Sequence, residues 1–189
     1  MTTKRIDSYL SSAITVSKYR EMVQLKDVKR IVAFLKERFE GRYIAPFENN
    51  KKKNGFIMMA ASCLMIEALE SFWQGWEKTP NSALAFCQFF ERNSRFDQLR
   101  GYSQEFYKNV RCGIIHQGET TGAWHVRRDL KSLFDKSTKT IDATRFLKEV
   151  KGALHDYCSE LEKEAWDSGV WKNFRNKMKN ICNNSEKKT

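Results

Sequence analysis

Proline is scarce in this chain. Only Pro46 and Pro80 occur in 189 residues, and both stand between stretches of helical periodicity, which favours long helices broken at few points. No Cys-x-x-Cys pair is present. The five cysteines, at 63, 87, 112, 158 and 182, are odd in number and widely spaced. They support neither a zinc site nor a disulfide framework and read as free thiols in a reducing compartment. The three histidines (His116, His125 and His155) lack metal spacing with a carboxylate, so neither metal nor cofactor is expected. Residues 1–12 lack the apolar stretch of a signal peptide. The longest apolar run, Phe56 to Trp73, contains Glu67 and Glu70, whose charges would be costly in lipid. It reads as a buried bundle helix rather than a membrane span, in a cytoplasmic protein. Internal repeats and low-complexity tracts are absent.

What the chain does carry is positive charge. Lysine and arginine number 34 against 23 acidic residues, a net +11 with a pI near 9.5. A surplus of that size favours an anionic partner, most commonly nucleic acid, although solubility alone is the plainer explanation. Hydrophobic residues at 41% and charged residues at 30% argue against global disorder. The length suits one domain, assigned to residues 1–182, with a polar tail at 183–189.

The expected fold is all-α: a compact bundle of about five to six helices with a small β-hairpin insertion near 123–141. Val28, Ile31, Val32, Leu35 and Phe39 form one stripe of a helix from about Val23 to Gly41, with Gly41 as its C-cap. Glu48 to Gly55, with Lys51, Lys52 and Lys53, reads as a solvated loop. A central helix spans about Gly55 to Trp76, and Asn81 or Ser82 caps the next. Phe86, Phe89 and Phe90 on that helix fit a core better than a base-stacking platform, since no basic residues interleave them. Another helix runs from about Ser103 to His116. Trp124 to Arg128 and Lys139 to Ile141 are two short strands or one long loop. Asp142 caps a long helix with Phe146, Val150, Leu154, Tyr157 and Leu161 as its stripe. After a break at Ser168-Gly169, Trp171, Phe174, Met178 and Ile181 mark the last helix.

The candidate chemistry lies in Arg111-Cys112-Gly113-Ile114-Ile115-His116. At roughly 100° per residue, Arg111 and His116 lie about 140° apart around a straight helix. They cannot share a small pocket unless the helix ends near Gly113 or a second copy supplies the missing partner, as a two-fold dimer would. Arg, four residues, then His, late in a helix of an all-α bundle, resembles the R-x4-6-H signature of HEPN domains. The resemblance implies a homodimer built around this helix, with a composite, metal-independent ribonuclease site containing Arg and His of both protomers. RNA is then the partner, joined by an antitoxin or defence partner if the protein is a toxin or antiviral effector. Cys112 departs from the polar residue that often follows the arginine in that family.

Cleaving RNA without metal requires activation of the 2′-OH and stabilisation of charge on phosphorus. His116 suits general acid or base work near neutral pH, and Arg111 offers a permanently charged fork to phosphate oxygens. The products would be a 2′,3′-cyclic phosphate and a 5′-OH. Asn109, seven residues before His116, is expected on the same face, while Lys108 and Tyr107 lie nearer Arg111 and suit RNA-backbone binding. A purely structural account pairs Arg111 with Glu67 or Glu70, because carboxylates in an apolar helix must be paired or protonated. Either carboxylate would then orient Arg111. His125 sits in a basic aromatic patch that reads as a surface loop or the edge of an RNA groove. His155 follows a buried stripe position and should be partly exposed. A catalytically silent HEPN-like module binding RNA, nucleotide or protein remains open, as does a helical DNA-binding or scaffold protein.

Overall fold

The computed structural model describes residues 7–48 and 51–186. In chain order its α-helices are Val16–Gln24 (α1), Val28–Phe39 (α2), Gly55–Gln74 (α3), Ser82–Arg92 (α4), Ser103–Phe106 (α5), Cys112–Gln117 (α6), Ala143–Lys163 (α7) and Gly169–Glu186 (α8). α3 is the apolar run of the sequence. It is long and apolar enough to cross a membrane by length and composition, but here α4, α7 and α8 pack around it. Met59, Cys63, Met65, Ile66 and Leu69 on α3 are fully buried. A helix apolar nearly all round is the one a bundle places at its centre.

Local signals set most boundaries. α3 ends at Gly75, left-handed at φ 68°, a conformation that favours glycine. Asn81 caps α4 by accepting a hydrogen bond from Leu84 N at 3.1 Å. Asp142 caps α7 through Arg145 N at 2.8 Å, and its second oxygen accepts from Leu130 N at 2.9 Å. The expected stripe of α7, Phe146 to Leu161, is buried throughout.

Three boundaries differ from expectation. The helix expected from Val23 is split: Lys26 turns left-handed at φ 51° and Asp27 restarts the helix by capping Arg30 N. A separate α1 precedes it, capped by Thr15. Gly41 does not stop α2, because the chain widens into a π-helical turn over Glu40–Ile44, closed by Ala45 N to Glu40 O at 2.8 Å. α8 runs on to Glu186, so residues 183–186 are helical rather than the start of a tail; residues 187–189 lie outside the described region.

The small sheet has three strands, His125–Arg127 (β1), Phe134–Asp135 (β2) and Thr140–Asp142 (β3), in the order β1-β3-β2. β2 and β3 form the antiparallel hairpin; β1 joins the other edge of β3 in parallel. Trp124 is buried and stacks on Phe134 with centroids 5.2 Å apart, so it belongs to the core and lines no groove. Phe86, Phe89, Phe90, Phe96, Phe106 and Phe146 pack as one aromatic cluster. All six are fully buried, each contributing about 1.5–3 kcal/mol, which decides for core over base stacking.

Candidate functional site

The segment bearing Arg111 and His116 is one continuous helical rod: α5, a π-helical turn at Tyr107–Arg111, and α6. Cys112 N closes the π turn onto Tyr107 O. π turns interrupt helices mostly as isolated bulges, often at functional sites. α6 ends at Gly118, left-handed at φ 69°. The expected helix, Ser103 to His116, therefore forms, with a widened turn in its middle.

Gly113 explains how the rod sits. A Cβ there would come within 2.5 Å of the Glu119 backbone oxygen and 3.3 Å of Thr120 Cα. The chain thus folds back across Gly113 after leaving α6, and only glycine permits that approach. The helix does not end at Gly113, one of the two ways in which Arg111 and His116 could share a pocket, but runs on to Gln117.

Arg111 points at α3. Its Nε donates to Glu67 Oε1 at 2.8 Å, with both side chains 15% exposed. Glu67 Oε2 accepts from Ser82 Oγ at 2.8 Å, so both carboxylate oxygens are engaged. The Tyr107 ring lies 5.7 Å from the guanidinium carbon, within cation–π range. Burial opposes the charge on Arg111, but the hydrogen bond and charge of Glu67 outweigh it, with help from the Cys112 side chain, and hold the guanidinium above its ordinary value. The Tyr107 hydroxyl is also raised, first by its hydrogen bond to Cys112 and then by burial. Cys63, one turn before Glu67, lies buried beneath, its thiol pushed up by desolvation.

The structure separates the other expected residues. Glu70 is fully buried but turns away from Arg111, pairing with Arg92 at 2.9 Å and accepting from Gln74 at 2.8 Å. Asn109 does not serve His116. Its side-chain oxygen accepts from Thr121 Oγ1 at 3.0 Å, its backbone oxygen takes Thr121 N, and its amide packs on Gly122. It pins the returning loop. Lys108 is exposed. His116 is exposed at the end of α6 and forms no side-chain hydrogen bond or ion pair among the described residues. His125 is exposed on β1, and His155 meets Glu40 at 2.8 Å while 41% exposed.

Two apolar residues flank the Arg111–Glu67 pair in the open. Leu64, three residues before Glu67 on α3, is 48% exposed; Ile115, four residues after Arg111, is 39% exposed. Spacings of three and four place each beside the charged residue on its own helix. Ile57, two turns before Leu64, extends the strip at 58% exposure. On its other side Glu67 lines a small cavity with Arg38, Arg42 and Lys177. Comparison with protein-family models, curated proteins and solved structures returns no match.

Proposed function

We propose that this chain is a metal-independent endoribonuclease of the HEPN type, acting as a homodimer with Arg111 and His116 of both copies in one cleft. The observation that carries this reading is a clamped arginine and an open histidine on one helical rod, bordered by the exposed Leu64 and Ile115. Arg111 immediately precedes α6 with helical backbone angles, so it and His116 project about 140° apart, and one copy does not assemble a pocket from them. A second copy seated on Leu64 and Ile115 would cover apolar surface and bring the missing partner.

The chemistry follows from the contacts. Glu67 takes only the Nε–H of Arg111, leaving the terminal nitrogens to donate to phosphate oxygens. One His116 accepts the 2′-OH proton as the 2′-oxygen attacks phosphorus. The other protonates the departing 5′-oxygen, leaving a 2′,3′-cyclic phosphate. Glu67, and Tyr107 against the guanidinium, act as positioning residues. By the same resemblance, a toxin or antiviral-defence role with a silencing partner is the setting for such an enzyme.

One observation favours a second reading. The Arg111–Glu67 pair is complete without a ligand, as suits a catalytically silent HEPN-like module that binds RNA, nucleotide or protein. Incubation with total RNA in EDTA separates the two. Arg111→Ala and His116→Ala should each lower cleavage about a hundredfold or more with circular dichroism unchanged. Leu64→Glu with Ile115→Glu should abolish the dimer in sedimentation velocity and cleavage together. Cleavage undiminished in both single variants, or a wild-type protein that is strictly monomeric, would sink the composite site. A well-folded dimer that cuts nothing favours the silent module.

A further inference from the structure

We infer that the cavity between α2, α3 and α8 binds a phosphoryl group. It is independent of the ribonuclease reading. Arg38, Arg42 and Lys177 converge on this cavity, with Ser71 and Thr79 forming a polar wall, their hydroxyl oxygens 2.8 Å apart. The π-helical turn that extends α2 carries Arg42, and both arginines donate to one acceptor, the Leu10 carbonyl, Arg42 at 2.9 Å. A guanidinium has five N–H donors, so most of their capacity is uncommitted.

Among the described residues none of the three cations forms an ion pair. The nearby carboxylates are occupied elsewhere. Glu37 feels the charge of Arg42 but accepts from Ser12 at 2.5 Å. Glu77 lies near Lys177 yet takes Asn180 on its side chain; Lys177 Nζ reaches only the Glu77 backbone oxygen, at 3.1 Å. Glu67 at the cavity wall is shared between Arg111 and Ser82. Burial, then the neighbouring Arg42, lowers Arg38 to about 10, and burial lowers Lys177. An anion placed among these side chains would meet opposite charge.

Size narrows the ligand. The cavity is about 160 Å³, room for a few waters at about 30 Å³ each. A tetrahedral oxyanion fits; an organic ligand, which usually needs about 300–1,000 Å³, does not fit whole. The ligand is therefore inorganic phosphate or a terminal phosphate whose nucleoside or chain stays outside. Bidentate arginine contacts and a lysine point charge suit a monoester dianion.

Isothermal titration of the full chain with inorganic phosphate, AMP, and a short RNA bearing either a 5′-phosphate or a 5′-hydroxyl tests this. Saturable phosphate binding is expected, weakened about tenfold or more by Arg42→Gln and by Lys177→Gln, with thermal melting unchanged. Tighter binding of the 5′-phosphorylated RNA than of its hydroxyl counterpart, lost in Arg42→Gln, would identify a chain end as the source. Equal affinity for phosphate and AMP would identify the free anion. If no phosphoryl probe saturates, or if both variants bind like the parent, the inference is wrong. The readout is binding, so its failure is distinct from an absence of nuclease activity.

Discussion

Glu67 and Glu70 are three residues apart on one apolar helix, yet they solve the problem of a carboxylate in a core differently. Glu70 is fully buried and draws Arg92 and Gln74 onto itself. Removing a partner from such a pair leaves an uncompensated charge and is strongly destabilising. Glu67 sits at the surface of the core and divides its oxygens between Arg111 and Ser82, so it holds a cation that still meets solvent. The cysteines divide in the same way. Cys63, Cys158 and Cys182 are buried, whereas Cys87 and Cys112 are partly exposed. Burial pushes the Cys158 thiol up to about 12 and Cys182 to about 11. A raised thiol pKa keeps the group protonated until pH approaches that value, and the thiolate is the reactive form. In native protein at pH 8, a thiol-exchange reagent should therefore label Cys87 and Cys112 quickly and the other three only after denaturation. Mass spectrometry of the labelled peptides would read this directly, and a silent Cys112 would contradict its placement beside Tyr107 and Arg111.

At the scale of the element, the two π-helical turns shape both candidate sites. One carries Arg42 toward the Leu10 carbonyl; the other lies between Phe106, in the aromatic core, and Arg111, against Glu67. Each re-aims the side chains after it relative to a straight α-helix. The second is braced from outside by the loop that crosses Gly113 and is pinned through Asn109, Thr121 and Gly122. Gly113→Ala would force the Glu119 backbone to move, so it should cost about 1–3 kcal/mol and lower the urea midpoint at unchanged m-value. Alanine normally favours a helix over glycine. A stabilised Gly113→Ala variant would therefore show that the loop does not cross there.

For the molecule as a whole, the net +11 is partly neutralised on the surface. Arg20, Arg95, Arg100 and Arg127 hold carboxylates, pairs worth little to stability. Cations without such partners among the described residues, Arg38, Arg42 and Lys177 included, remain for an external anion. If RNA is that anion, its affinity should fall steeply with salt. A slope of about −3 or steeper in log Kd-derived affinity against log salt corresponds to roughly four phosphate contacts on a single strand. Filter binding between low and physiological salt measures it. A slope shallower than about −1 would confine the charge to solubility.

The sequence by itself determined the bundle. Its 3.6-residue periodicity, scarce proline and capping residues Asn81 and Asp142 encode helices locally, and local hydrogen bonding and burial of one face decide them. The apolar run at residues 56–73 determined which helix is central. The sequence also presented Arg111 and His116 as a pair, and Glu67 or Glu70 as the competing partner for the arginine. Tertiary packing chose Glu67 and gave Glu70 to Arg92, because which carboxylate meets which cation depends on how helices cross, not on spacing along one of them. It also moved Asn109 from the histidine to the returning loop, and opened the helix at Tyr107–Arg111, where a straight-helix projection of the residues before Arg111 fails. The cavity of Arg38, Arg42 and Lys177 draws on positions far apart in the chain. No local pattern announces such a site; only the packing of α2 and α8 against α3 brings those charges together.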